Sequence, residues 1–301
     1  MSVTQPRDSG NSLPAQKITA QTLLARKRHR EPITALTAYD YPTARLVDEA
    51  GIDMILVGDS LGMAVLGYDD TLPVTVDEML HHTRAVRRAV RSALLVVDMP
   101  YGSYHISDED ALRNAVGFVK EAGAEAVKIE GGTSRAALID RLTRAEIAVV
   151  GHIGLTPQSV HRMGGYRVQG KSFAAIEMLR ADAGAIEAAG AIAIVLEGIP
   201  REVAAIITRE VSIPTIGIGA GPDCDGQILV FHDLFQLAFT PAAKFVRRYG
   251  DAGELMRQGL ARYREDVAAH TFPNDSESYH LSAAVREEME SSGRPLQTRS
   301  A

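Results

Sequence analysis

Eight short apolar runs, each ended by polar or glycine residues and followed by a helical stretch, constrain this chain most. They are Ile33–Ala38, Met54–Val57, Ala93–Val97, Ala126–Ile129, Ile147–Val150, Ala191–Leu196, Thr215–Ile218 and Ile228–Phe231. Most are near-continuous Val, Ile, Leu and Ala, the pattern of strands covered on both faces of a parallel sheet. Helical stretches lie between them. Pro42–Ala50 runs into Gly51, and Val76–Arg91 follows a Thr75/Glu78 capping box. A helix opens at Ser107 and Asp110 and ends at Gly123; Ser134–Arg144, Phe173–Ala189 and Arg201–Arg209 continue the series. Similar phrases, such as Glu49-Ala50-Gly51-Ile52 and Glu121-Ala122-Gly123-Ala124, mark a helix end, a glycine turn and the next strand. Eight such alternations predict an α/β fold, a single (β/α)8 barrel. The competing open doubly wound sheet usually carries a glycine-rich fingerprint after its first strand, and here that strand ends in Thr37-Ala38-Tyr39-Asp40.

The boundaries follow from composition shifts. Residues 1–16 read as a flexible polar extension, 17–272 as the barrel domain, and 273–301 as a C-terminal tail, polar and mixed in charge from residue 281. An N-terminal helix is expected over Thr19–Arg28, with the basic run Arg26–Arg30 as its solvated end. An amphipathic helix is expected from Ala242 to about Val267. The formal net charge of −6 speaks against nucleic acid as a partner. No apolar run approaches the roughly 20 residues of a membrane span, and the N-terminus has no secretory apolar core. The single cysteine, Cys224, cannot form an internal disulfide. A soluble, cytoplasmic protein is expected.

In a barrel the C-terminal strand ends share one mouth, where chemistry takes place. Those ends carry Asp40, Asp59-Ser60, Asp98, Lys128 with Glu130, His152, Glu197, the glycines around Gly217 and Gly219, and His232-Asp233. Any one acidic residue here is as readily a turn former or helix cap. Four carboxylates, Asp59, Asp98, Glu130 and Glu197, converging on one mouth would repel one another, and a divalent cation would relieve this. An all-oxygen set beside one histidine suits Mg²⁺ better than Zn²⁺, and Mg²⁺ needs only one or two of them, so one could act as a base. Lys128 and Glu130, two apart on one strand, point to the same face. Lys128 is open to three readings: a salt bridge, an anion site or a Schiff base, with a substrate carboxylate preferred to the last. His152 is either a substrate contact or a satisfied core histidine. The long segment from Gly154 to Lys171 has the character of a lid. The spare glycines of Gly217–Gly221 suggest close approach to a ligand or a tight turn. His81-His82 reads as surface.

These stretches resemble the ketopantoate hydroxymethyltransferase family. The resemblance rests on Leu36–Tyr41, Leu56–Ser60, Thr71–Val74, Val127–Gly132, Gly151–Val160, Gly165–Gly170, and Gly217–Gly221 followed by Asp225-Gly226-Gln227. A weaker echo lies at Phe272-Pro273 and Ser278–His280, where Glu277 departs from the family's common histidine. The resemblance implies a TIM barrel of the phosphoenolpyruvate/pyruvate type. It also implies transfer of a one-carbon unit from 5,10-methylenetetrahydrofolate to 3-methyl-2-oxobutanoate, giving 2-dehydropantoate in pantothenate biosynthesis. By motif, Asp59, Asp98 and Glu130 resemble the family's Mg²⁺ site, with one ion per subunit. Asp59, Ser60, Asp98 and Lys128 resemble its substrate-binding residues, and Glu197 its proton acceptor. A homo-oligomer, by resemblance a decamer, is implied. A Mg²⁺-dependent carbon–carbon lyase or mutase of the same barrel type is the alternative enzyme. A catalytically silent barrel that binds metal is the alternative of another class.

Overall fold

A computed structural model describes residues 16–239 and 241–293. The expected N-terminal extension lies, apart from Gln16, outside the described residues, as does the tail beyond Gly293. Eight strands, β1 (Ile33–Thr37), β2 (Met54–Val57), β3 (Leu94–Asp98), β4 (Ala126–Glu130), β5 (Val149–Gly154), β6 (Ala193–Glu197), β7 (Thr215–Ile218) and β8 (Gly226–Leu229), pair in parallel and in sequence order. β8 pairs back onto β1, closing the barrel. The helices are α1 (Ala20–His29), α2 (Tyr41–Glu49), α3 (Val76–Arg87), α4 (Asp108–Ala122), α5 (Ala136–Arg144), α6 (Val160–Met163), α7 (Phe173–Ala188), α8 (Arg201–Glu210), α9 (Phe231–Leu234), α10 (Ala252–Ala268) and α11 (Ala283–Ser291).

Side chains alternate between the two faces of a strand, and the barrel interior shows this alternation. Ile33 and Ala35, Met54 and Leu56, Leu94 and Val96, Ala126, Val150, Ala193 and Val195, Ile216 and Ile228 form one buried cluster. The intervening residues face the helices. Gly151 is one of them, and a Cβ there would stand 2.5 Å from Ile186 of α7, so only glycine permits that helix to lie so near. Continuing the inward series by two residues leads to Asp98, Lys128 and then Glu130, His152 and Glu197. The apolar plug of the barrel thus passes without interruption into a charged layer at its C-terminal mouth.

The opposite end is closed by α1. Leu23, the buried residue of this helix, belongs to the interior cluster, and Ile18 packs against it. Two cations of the basic run are tied down here as ion pairs: Arg26 pairs with Asp53 at 2.8 Å and Lys27 with Asp225 at 2.7 Å. Asp225 also accepts from the Thr215 backbone N–H at 2.8 Å.

Several boundaries differ from expectation. β5 and β6 run on into polar residues because the backbone ladder continues, pairing Glu130 with His152 and Gly154 with Glu197. β8 starts earlier, at Gly226, where a Cβ would meet the Ile33 carbonyl oxygen at 2.5 Å. α3 stops at Arg87. α10 begins at Ala252, where Asp251 caps it by accepting from the Glu254 N–H.

The described residues form two compact units. One runs up to Leu234 and takes in Ala238–Arg247; the other comprises Phe235–Leu237 and the described residues from Arg248 onward. The second holds α10, a 3-10 turn at Asp275–Glu277 and α11, so the described part of the expected C-terminal tail contains a helix, capped by Ser282. Among the described residues, no helix is long and apolar enough to cross a membrane.

Candidate active site

β2 stops at Val57, and Gly58 turns the chain. A Cβ on Gly58 would meet Ser60 Oγ at 2.8 Å and Asp98 Oδ2 at 3.3 Å, so glycine is what lets Asp59 and Ser60 sit against β3. The Asp59 N–H donates to Asp98 Oδ2 at 3.1 Å. Ser60 Oγ shares a 2.8 Å hydrogen bond with the hydroxyl of Tyr39, a buried residue of the loop after β1. Lys128 Nζ lies 2.7 Å from Asp98 Oδ1, both side chains almost wholly buried. Next on the inner wall, His152 Nδ1 faces Glu130 Oε1 at 3.4 Å and Nε2 faces Glu197 Oε2 at 3.2 Å. Glu197 is the most open of the four carboxylates, its side chain 18 % exposed against 4 % for Glu130.

The sequence-derived residues Asp59, Ser60, Asp98, Lys128, Glu130, His152 and Glu197 therefore meet at one mouth. Others do not join them. Asp40 caps α2, accepting from the Thr43 N–H at 2.8 Å. The glycines at the end of β7 make room for this chain's own side chains: a Cβ at Gly219, just past the strand, would meet the Phe245 ring at 2.6 Å, and one at Gly217, within it, would meet Cys224 Sγ at 2.9 Å. His232 stacks on Tyr39 with ring centroids 5.4 Å apart. His82, expected at the surface, is half-buried, its Nδ1 2.6 Å from the Tyr39 carbonyl oxygen.

Two residues at the mouth carried no signal of their own in the sequence reading. Gln158, in the 3-10 turn Pro157–Ser159, donates from Nε2 to Asp59 Oδ2 at 2.8 Å and to the Met99 carbonyl at 3.0 Å. Its backbone N–H donates to Glu130 Oε2 at 3.0 Å. Tyr104, from the loop after β3, donates to Gln158 Oε1 at 2.6 Å and accepts from the Glu130 N–H at 3.3 Å.

The electrostatics follow from burial and from charge neighbours. Burial, and then the charges of Asp98 and Glu130, hold Asp59 well above the ordinary carboxylate range; Lys128 and the Gln158 hydrogen bond pull the other way. Burial disfavours the Lys128 cation, but Asp98, Glu130 and Asp59 outweigh it, so its pKa is raised. For His152, burial and Lys128 oppose protonation, while Glu130 and Glu197 favour it; the result is pushed up to about 9. The ring's Nδ1 also stands 3.4 Å from Lys128 Nζ.

Residues 17–275 match the ketopantoate hydroxymethyltransferase family. A protein of Koribacter versatilis named 3-methyl-2-oxobutanoate hydroxymethyltransferase is 68 % identical over 88 % of this chain and 90 % of its own length. One of the same name from Pelobacter propionicus is 54 % identical over 88 % of this chain and 98 % of its own. Among solved structures, a phosphonopyruvate hydrolase complexed with oxalate and Mg²⁺ superposes with a TM-score of 0.59 at 17 % identity, covering 91 % of this chain and 96 % of that one. A 2,3-dimethylmalate lyase, described as a member of the PEP mutase/isocitrate lyase superfamily, gives a TM-score of 0.57, also at 17 % identity, over 91 % of this chain and 98 % of that one. Likeness at this identity concerns the barrel alone. The family match spans nearly the whole described barrel and all of the mouth residues, and the chain belongs to the ketopantoate hydroxymethyltransferase family.

Proposed function

We propose that the protein is a 3-methyl-2-oxobutanoate hydroxymethyltransferase, which moves a one-carbon unit from 5,10-methylenetetrahydrofolate to C3 of 3-methyl-2-oxobutanoate and yields 2-dehydropantoate. The observation that carries this reading is the division of the mouth. A buried group of Asp59, Asp98 and Glu130 sits beside a separate, more open carboxylate, Glu197, which faces His152 at 3.2 Å. Deprotonation next to a 2-oxo group needs these two parts, a place for the oxygens of the 2-oxo acid and a base nearby.

The acidic group fits Mg²⁺. Its donors are all hard oxygens, and Asp98 Oδ1, 2.7 Å from Lys128 Nζ, is buried with no other partner among the described residues. Repulsion among the three carboxylates, which contributes to raising Asp59, would be relieved by a cation. Among the described residues no three His, Cys, Asp or Glu side chains close into a ready cage. An ion that keeps waters and takes one or two protein carboxylates plus ligand oxygens does not require one. Asp59, Asp98 and Glu130 would hold it, and when bound it supplies charge stabilisation at the 2-oxo oxygen.

Lys128 and Ser60 are the proposed contacts of the substrate carboxylate, beside Asp59 and Asp98. A Schiff base would need a neutral amine, whereas Lys128 is held charged by its neighbours. Glu197 accepts the proton from C3, with His152 Nε2 facing its Oε2 at 3.2 Å. The enolate carbon then attacks the methylene bridge. In balance, the C3–H bond and both C–N bonds of the bridge break and a C–C bond forms. Water supplies the hydroxyl, and tetrahydrofolate leaves with protons on both nitrogens. We extend this to a homo-oligomer: α10 leaves Leu255, Met256, Leu260 and Tyr263 more than half exposed, and light scattering at assay concentrations tests the association. A biosynthetic role of this kind places the work in the cytoplasm.

The deciding experiment follows the C3 proton of 3-methyl-2-oxobutanoate by NMR in deuterated water with Mg²⁺. Glu197→Gln should slow exchange by roughly 100-fold or more, the scale of a general base, while leaving substrate affinity within about threefold. Exchange at the native rate in this variant removes Glu197 from the role. Formation of 2-dehydropantoate without the folate removes the proposed co-substrate.

A further inference from the structure

Two buried polar residues at the mouth, Gln158 and Tyr104, have no part in the chemistry above. We propose that Gln158 is a positioning residue: its amide and backbone N–H hold Asp59 and Glu130 in the arrangement that receives the cation, and Tyr104 fixes the orientation of that amide. This rests on the metal site proposed above.

The hydrogen bonds form a closed circuit. The Glu130 N–H donates to the Tyr104 hydroxyl at 3.3 Å, which donates to Gln158 Oε1 at 2.6 Å; the Gln158 N–H returns to Glu130 Oε2 at 3.0 Å. Both Nε2 hydrogens are spent, on Asp59 Oδ2 at 2.8 Å and the Met99 carbonyl at 3.0 Å. A flipped amide would set its oxygen against two acceptors and its nitrogen against the Tyr104 donor, so one orientation is selected. Each of the two carboxylates is thus gripped by one oxygen, and Gln158 is only 6 % exposed, so little water competes for these bonds.

The chemical type matters. A lysine or arginine here would place a fixed positive charge where the cation binds, and a carboxylate would add to the repulsion already present. A neutral amide fixes geometry and leaves the negative charge of the site intact. The placement also ties the β5–α7 segment to three strands. Its first residue, Leu155, donates to the Glu197 carbonyl at 2.8 Å, and three residues on Gln158 reaches the ends of β2 and β4. Pro157 opens the turn that sets this spacing.

The test uses metal-free full-length protein without substrates, with Mn²⁺ as the probe and free Mn²⁺ counted by electron paramagnetic resonance. Gln158→Met keeps length and the backbone bond to Glu130 but removes the amide. It should weaken Mn²⁺ binding 10- to 100-fold, the range seen when residues that orient metal ligands are lost. Tyr104→Phe should weaken it less, about 3- to 10-fold, and should add nothing in the double variant, since it acts through the amide. A purely structural role would lower the unfolding temperature of the metal-free protein and leave the Mn²⁺ affinity of the folded fraction unchanged. Native-like Mn²⁺ affinity, within twofold, in Gln158→Met overturns the assignment. Should that variant not fold, native affinity in Tyr104→Phe overturns it. Wild-type protein that binds no Mn²⁺ or Mg²⁺ overturns the metal site itself and this role with it.

Discussion

His152 offers a prediction in which sign and size are both set by the structure. The ring is fully buried, and its protonated form is held up to about 9 against an ordinary value of 6.5. At about 1.4 kcal/mol per unit, protonation linked to folding contributes about 3 kcal/mol. The folded value is the raised one, so this contribution is complete below about pH 6.5. It declines as pH rises through the window to about 9, and it is gone above that. His152→Gln removes the titrating group while keeping a donor near Glu197. Two other histidines whose pKa values are lowered, His105 and His232, titrate in both proteins and cancel in the difference.

The measurement is urea unfolding of both proteins in chelator at several pH values between 6 and 9.5. The chain has no tryptophan, so far-ultraviolet circular dichroism is the probe. The gap between wild type and variant should be largest at pH 6 and shrink by about 3 kcal/mol by pH 9.5. Parallel stability curves, with a gap constant to within about 1 kcal/mol, would refute the claim that Glu130 and Glu197 hold this ring charged. With the ring neutral, the orientation of Glu197 by a cationic N–H would fall as well.

Other expectations follow from the same contacts. Leu23→Ala removes the fully buried residue by which α1 closes the barrel floor. A cost of about 3–5 kcal/mol is expected, or a melting temperature lower by roughly 10 °C, with faster tryptic cutting within Arg26–Arg30; unchanged melting would mean that α1 is not a structural plug. Tyr39→Phe removes the 2.8 Å partner of Ser60 Oγ. At about 1 kcal/mol for a neutral hydrogen bond, the KM for 3-methyl-2-oxobutanoate should rise about fivefold with kcat little altered. An unchanged KM would detach Ser60 from the substrate carboxylate.

What the sequence discloses about this site depends on how far each residue's signal reaches. Lys128 and Glu130 were readable because a charge inside an apolar strand breaks a local pattern, and because residues two apart share a face. The barrel carries that rule through: the inward series Leu94, Val96, Asp98 and Ala126, Lys128, Glu130 changes from apolar to charged at the mouth while backbone pairing continues. His152 stayed open in the sequence because its meaning depends on partners from β4 and β6. Asp40 and the glycines around Gly217 had the right composition in the right place, but their roles, a helix cap and room for Phe245 and Cys224, depend on side chains that spacing alone does not locate. The basic run Arg26–Arg30 misled for a related reason: its partners, Asp53 and Asp225, arrive from the starts of β2 and β8. Gln158 is the extreme case. A neutral amide in a loop disturbs no pattern, and the residues it grips lie 99 and 28 positions away. Charge is therefore legible where it interrupts a strand, whereas the groups that hold charge in place become legible only after the barrel has closed.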